Sequence, residues 1–301
     1  MRSGLLNQSL GLGLIMVLLF LAGCGGQQTQ PTPGPVTELV PGNDARGLTI
    51  RWLALNAETG QAALLKALEP HFRSPATPIA EVDRRRWAEN GLAMVCVPAS
   101  AIRSVEKSLP LTAVQARNSA DMLTWSDLAT GPNWSEERPV ASPDGTTRLS
   151  AGRIRMLGRS WATPTLTESG PQTVTRLELI LQHLPDRPSL ASQIDTSVST
   201  SKGALTRGPA FARTAIGLDL PPDQCVVIFA EPPGTNRQAI VRPESLDRPE
   251  TTTNAATPPA QPVLTLGELL LTGYANEGQV RTRVVLVIMG RQAASIAKLD
   301  Q

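Results

Sequence analysis

The hydrophobic pattern of this 301-residue chain changes period several times, and each change marks an element. Leu48-Thr49-Ile50-Arg51-Trp52-Leu53-Ala54-Leu55 alternates as a half-buried strand does. Ala62, Leu64, Leu65 and Leu68 then recur at helical spacing, and Pro70 stops that segment. A second helix is predicted over Ile79–Glu89, with Arg84, Arg85 and Arg86 on its wet side. Gly91 follows its end, where a left-handed cap is cheap for glycine. Leu92–Val97 reads as a buried strand, and Pro98-Ala99-Ser100 leads into a short helix that runs to Leu109 and halts at Pro110. Strand, helix, helix, strand, helix predicts a small α/β module over residues 48–110.

From Leu111 to Gly152 the period fades, and Trp125, Pro132, Trp134, Pro139 and Pro143 punctuate polar stretches. Pro143-Asp144-Gly145-Thr146 is a turn signal. Thr147–Trp161 and Val174–Leu184 read as strands. In the second, Leu177, Leu179 and Leu181 must share the burial with the alternating set Val174, Arg176, Glu178, Ile180 and Gln182. Ser189–Arg207 reads as a loop or weak strand, and Ala215–Leu220 and Gln224–Ala230 as short strands across Pro221-Pro222-Asp223. Pro232–Pro262, rich in Pro, Thr and Asn, predicts a flexible insert. A last pair of strands is expected at Val263–Leu271 and Arg281–Met289. Within it Val284–Ile288, apolar at successive positions, calls for cover on both faces and so for a central place in a sheet. The fold class expected is α+β: the α/β module of 48–110, then a β-rich region over 111–301 with its flexible insert at 232–262.

The N-terminus has a different logic. Arg2 precedes an apolar run, and Leu21-Ala22-Gly23-Cys24 closes it. A secretory signal needs this order: a charged start, an apolar core of roughly 7–15 residues and small residues at the cut. Asn7, Gln8 and Ser9, with Gly11 and Gly13, leave a clean run short of the about 20 residues that spanning requires. The Leu21–Cys24 ending resembles the lipobox of bacterial lipoproteins. That resemblance implies a signal peptide over 1–23, cleavage before Cys24, and attachment to the Cys24 thiol of a diacylglycerol carrying palmitate-type acyl chains. With about 0.8 kcal/mol of affinity per buried methylene, two or three chains anchor a protein firmly. Residues 24–47, with Gln-Gln-Thr-Gln-Pro-Thr-Pro-Gly-Pro in their midst, have no apolar period and predict a flexible tether. Gly25 and Gly26 follow the cysteine in place of aspartate. In bacteria with two membranes that favours the outer one, with the body in the periplasm or at the surface.

Removal of such a signal leaves about 278 residues, enough for one large or two small domains. An apolar share of 41% supports a core, and with aromatics at 3% that core must be built from Leu, Val, Ile and Ala. The net charge is +2 with both signs scattered, so no concentrated basic face exists and no nucleic-acid partner is expected. Cys96 and Cys225 both lie in apolar strand-like runs. An oxidising envelope permits a disulfide between them; two free core thiols are the other reading.

Ser104-Val105-Glu106-Lys107 matches the Ser-x-x-Lys pattern of penicillin-binding enzymes, which also need partner motifs. Ser-Asp-Asn and Lys-Thr-Gly are absent from the sequence and Ser201-Lys202-Gly203 is a poor substitute, so the pattern reads as a solvated helix face. The two histidines, His71 and His183, have no ligand spacing such as His-Glu-x-x-His. No catalytic residue, metal or cofactor is assigned.

In the C-terminal third, three segments occur in order: Asp223-Gln224-Cys225-Val226-Val227-Ile228, Pro262–Gly273 with Leu266-Gly267-Glu268, and Arg283–Ile288. This order resembles the end of secretin-type outer-membrane proteins, which have an apolar strand after a turn, a Leu-Gly-Asp-type loop and a closing apolar strand. Gln224 stands where that family has glycine, and Ala230-Glu231 where it has paired glycines. Three functional readings follow. The chain is a membrane-anchored envelope lipoprotein that acts without catalysis as a scaffold or binder of an envelope protein partner. Alternatively it is a component of a secretion or pilus assembly related to secretins, or a serine hydrolase using Ser104 and Lys107.

Overall fold

Gly47 opens the first strand, and glycine is required there: its φ is +143°, and a Cβ would lie 2.0 Å from the Ser119 carbonyl oxygen. The computed structural model describes residues 46–56, 58–72, 78–167, 170–186, 204–231, 263–274 and 281–291. All of them belong to one unit, Glu38–Gln301. Of the described residues 61% are in strands and 20% in helices, so the protein is mostly β. The expected signal peptide, Cys24 and nearly all of the tether lie outside the described residues, as does the insert at 232–262.

Strand β1 (Gly47–Asn56) pairs antiparallel along its length with β13 (Arg281–Arg291) on one side and β3 (Leu111–Ala120) on the other. Beyond β13 come β10 (Gln224–Ala230) and then β2 (Leu92–Pro98), giving the order β2-β10-β13-β1-β3. Short β12 (Thr272–Tyr274) lies beside the start of β13. β13 is therefore central, with Val285, Leu286, Val287 and Ile288 buried, as their unbroken apolar run requires. β1 and β2 are not neighbours: the strands between them come from residues 224–230 and 281–291.

A second antiparallel sheet has the order β4-β7-β8-β9, from Met122–Thr130, Gly152–Thr167, Gly170–Pro185 and Ala210–Leu220. Its inner face carries Ile154, Met156, Leu177, Leu179, Leu181, Ile216, Leu218 and Leu220. These meet Leu48, Ile50, Met94, Cys96, Val226, Ile228, Leu286 and Ile288 of the first sheet in one buried cluster. The other face of the first sheet buries Leu53, Val95, Cys225, Val227, Phe229, Val285 and Val287. That face is covered by Leu64 and Leu68 of helix α1 (Gly60–Leu68) and by Ile102 and Val105 of α3 (Ile102–Lys107). Helix α2 (Glu81–Glu89) bridges β2 and β9, buries Trp87, and ties the two sheets through a 3.0 Å hydrogen bond from Trp87 Nε1 to the Thr214 carbonyl. A small sheet of β5 (Arg138–Ser142), β6 (Gly145–Leu149) and β11 (Leu264–Thr265) adds Val140 and Leu149 to the same cluster.

Several sequence expectations are corrected. The predicted strand Val263–Leu271 is a two-residue strand followed by helix α4 (Leu266–Leu271). The reason is a capping box: the Thr265 hydroxyl accepts from the Glu268 backbone N–H while the Glu268 carboxylate accepts from the Thr265 N–H. This helix stands where the secretin resemblance implies a loop. Residues 111–152, where the period fades, hold β3, β4, β5 and β6. Thr147–Trp161 is two strands, broken before Gly152, whose φ is +153° and whose Cβ would meet the Leu184 carbonyl at 2.4 Å.

Cys96 and Cys225 are free thiols. In the β2–β10 register Cys96 faces Val226 and Cys225 faces Val97. The pleat therefore sends the two side chains to opposite faces of the sheet, Cys96 into one cluster and Cys225 into the other. A disulfide needs Cβ vectors that converge, so in this register the permitted bridge does not form and Cys96 and Cys225 stay unbridged, the other reading of the sequence.

Candidate functional site

The outer face of the second sheet is where chemistry-bearing side chains collect. Along β7 the residues Arg155, Leu157, Arg159 and Trp161 point away from the core, opposite Gln182, Ile180, Glu178 and Arg176 of β8. Alternation forces this once Ile154 and Met156 turn inward. The result is a cross-strand ladder in which one apolar pair, Leu157–Ile180, separates Arg155–Gln182 from Arg159–Glu178 and Trp161–Arg176.

At one end Arg159 contacts two indoles. Its guanidinium carbon is 4.9 Å from the Trp125 ring centroid and 5.5 Å from that of Trp161. Its Nε also donates to Glu178 Oε2 at 2.5 Å. Next to it Arg176 Nη1 reaches Asp219 Oδ1 at 3.2 Å. On β9, Gly217 pairs with Glu178, and a Cβ there would sit 2.5 Å from Arg176 Nη2, the far end of a flexible side chain. Trp125 and Trp161 are half-buried, and Leu123 and Leu166 nearby in the chain are 71% and 85% exposed. Trp125 reaches this position because β4 shifts register against β7 between Met122 and Ser126. Such bulges re-aim side chains. Each cation–π contact contributes about 0.5–1 kcal/mol at an exposed site. The arrangement thus holds two aromatic plates rigid at the surface, and its charges are already paired.

At the other end Arg155 is buried on the same face. Its Nε and Nη2 donate to Gln182 Oε1 at 2.9 and 2.6 Å, Nη1 to Asp127 Oδ1 at 2.9 Å, and Nη2 to the Ala204 carbonyl at 2.8 Å. Gln182 Nε2 in turn donates to the Leu205 and Gly208 carbonyls, both at 2.7 Å. Burial lowers the Arg155 pKa, opposed by the Asp127 carboxylate. The segment 204–208 is clamped over the sheet by this network.

The residues singled out from sequence lie elsewhere. Cys24 is outside the described residues. Ser104 and Lys107 are both exposed on α3, and no hydrogen bond joins them. Glu106 between them turns to Arg51 at 2.9 Å, with burial raising its pKa against the Arg51 and Arg103 charges. His71 ends a short 3-10 turn, and His183 packs under Trp134. Among the described residues no group of three or more His, Cys, Asp or Glu side chains could hold a metal ion, and no helix is long and apolar enough to cross a membrane. Sequence reasoning missed the Trp125–Arg159–Trp161 stack. Arg159 and Trp161 two apart in a predicted strand were a signal, whereas Trp125 lay in the stretch without period. No family model, curated protein or solved structure matches this chain.

Proposed function

We propose that this chain is a lipid-anchored protein of the bacterial cell envelope, held at Cys24, which acts without catalysis as a scaffold and presents the Trp125–Arg159–Trp161 face to a protein partner. The observation that carries the binding role is the pair of half-exposed indoles that both contact the Arg159 guanidinium. Tryptophan and arginine dominate the binding energy of protein interfaces. Pre-ordered aromatic rings also lose little conformational entropy on binding. Because Arg159, Glu178, Arg176 and Asp219 neutralise one another, the face suits another protein surface better than a polyanion. The anchor rests on the Leu21-Ala22-Gly23-Cys24 ending, with the outer membrane as its place. In this reading residues 48–110, with three of the four described α-helices, are the α/β part of the body, and residues 111–301 are its β-rich part.

Photo-crosslinking residues placed at Trp125 and Trp161 in the envelope test the binding role, with exposed Val82 on α2 as the control position. The expected result is one discrete adduct from both tryptophan positions and none from Val82. Equal or absent adducts at all three overturn it.

A second reading, an assembly component related to secretins, is favoured by one observation. The two apolar strands of that resemblance, β10 and β13, are hydrogen-bonded neighbours with Val226 opposite Ile288. Ring-shaped oligomers by electron microscopy are its expected signature.

A further inference from the structure

The two sheets close tightly on the side bridged by α2 but part on the opposite side, between β3 and β4. There Trp52 and Ala54 of β1, Ala113 and Gln115 of β3 and Val284 of β13 face Ala129 and Thr130 of β4 and Leu270 and Leu271 of α4. They enclose a cleft of about 320 Å³. Three alanines line it, half-buried Ala54 and Ala113 and buried Ala129, beside the inter-sheet cluster that Leu, Ile and Val fill. The side chains present no formal charge to it, and the indole N–H of Trp52 is already committed to the Leu128 carbonyl at 3.0 Å. Ligand pockets run from roughly 300 to 1,000 Å³, so this one admits one slim chain rather than two.

The charge sits at one end. Arg117 follows Gln115 on the same face of β3, with its guanidinium carbon 5.6 Å from the Trp52 ring centroid. It is exposed, gives one N–H to the Asp127 carbonyl at 2.9 Å, and makes no ion pair among the described residues. A guanidinium has five N–H donors in a fork that matches a carboxylate. A mostly apolar slot with, at its end, a guanidinium that makes no ion pair among the described residues is complementary to an anionic amphiphile. We propose that the cleft binds a long-chain fatty acid non-covalently, its hydrocarbon between Trp52, the three alanines and the leucines of α4, and its carboxylate on Arg117.

The test uses the full chain and a photoactivatable long-chain fatty acid with its diazirine near the methyl end, read by peptide mass spectrometry. Labelling is expected on the segments carrying Trp52, Ala129 or Leu270, and unlabelled acid competes it away. Arg117→Ala weakens binding of the acid at least about tenfold, the loss of one charged hydrogen-bond partner, and leaves the matched alcohol probe unchanged. Ala113→Trp fills the slot and removes labelling by both probes. Labelling confined to other segments, or an acid affinity untouched by Arg117→Ala, overturns the proposal. Ala113→Leu, a milder filling at the same edge strand, settles the matter if Ala113→Trp fails to fold: it must lower labelling by both probes.

Discussion

The indole of Trp134 stacks on the imidazole of His183, with ring centroids 5.6 Å apart and planes 8° from parallel. Both rings are buried, and His183 Nε2 has no hydrogen-bond partner among the described residues. A Cβ at Gly152 would stand 2.8 Å from that nitrogen, so any side chain at 152 would collide with the ring. Burial holds the imidazole pKa below its ordinary 6.5, against the opposing pull of the Ser150 backbone and Asp186. The folded state therefore prefers the neutral ring. The stability this contributes is complete above pH 6.5 and is lost as the pH falls through the lower folded-state value. Urea unfolding is expected to show a midpoint that drops between about pH 7 and about pH 5. His183→Phe should flatten that slope; an equal slope in the variant assigns the acid loss to other groups.

Thiol chemistry gives a second expectation. Burial, helped by the neighbouring Cys96 and Glu106, pushes the Cys225 thiol up to about 12. The nucleophile in alkylation is the thiolate, so Cys96 and Cys225 should resist iodoacetamide at mildly alkaline pH and react together once urea unfolds the chain. Oxidation of the folded protein should form no bond between them. A Cys96–Cys225 peptide in a non-reducing digest contradicts the register of β2 and β10.

Arg155 is the third case. Removing it by Arg155→Met strands Gln182 and frees the 204–208 segment from its clamp. The expected destabilisation is about 2–4 kcal/mol, in the range for a buried charged network. Asp127, whose side chain is 51% exposed, should matter far less, with Asp127→Asn under about 1 kcal/mol. Chemical denaturation compares the two, and equal losses place the weight on the ion pair instead of the Gln182 bridge.

Val285 and Leu286 face opposite sides of β13, one toward α1 and α3 and the other between the sheets. Val285→Asp and Leu286→Asp each leave a buried carboxylate with no partner, at several kcal/mol. Both variants are expected to lose cooperative unfolding by circular dichroism. Retained thermal stability in either one contradicts burial on that side.

Local chemistry explains what could be read from sequence. β13 was legible because Val285–Ile288 is apolar on both faces, and α1 and α2 because their periods are helical and Pro70 and Gly91 end them. β3 was not, since as an edge strand it mixes Val114 with Gln115, Arg117 and Asn118 and has no clean alternation. β4 was hidden by its two register shifts, and these also concealed the position of Trp125. The strand expected at Val263–Leu271 failed for a different reason: Leu-rich runs of this length suit either element, and the Thr265–Glu268 box decides for helix. Of the candidate site, Arg159, Glu178 and Trp161 lay within predicted strands. Their partnership depends on long-range register, which spacing along one strand does not encode.

The place of β13 has a temporal consequence. Gly47 pairs with Arg291, nearly the whole described chain away, and β10 and β1 meet only through the strand between them. Synthesis delivers the chain from its N-terminus, so β1 must wait, unpaired on that side, until residues 281–291 arrive. Pairings so distant in sequence slow folding because loop closure precedes any gain. A chain interrupted before residue 281 would hold two open strand edges in place of one finished sheet, a ready substrate for proteases and for its own neighbours. Arrival of residues 281–291 therefore sets the moment at which the first sheet can exist.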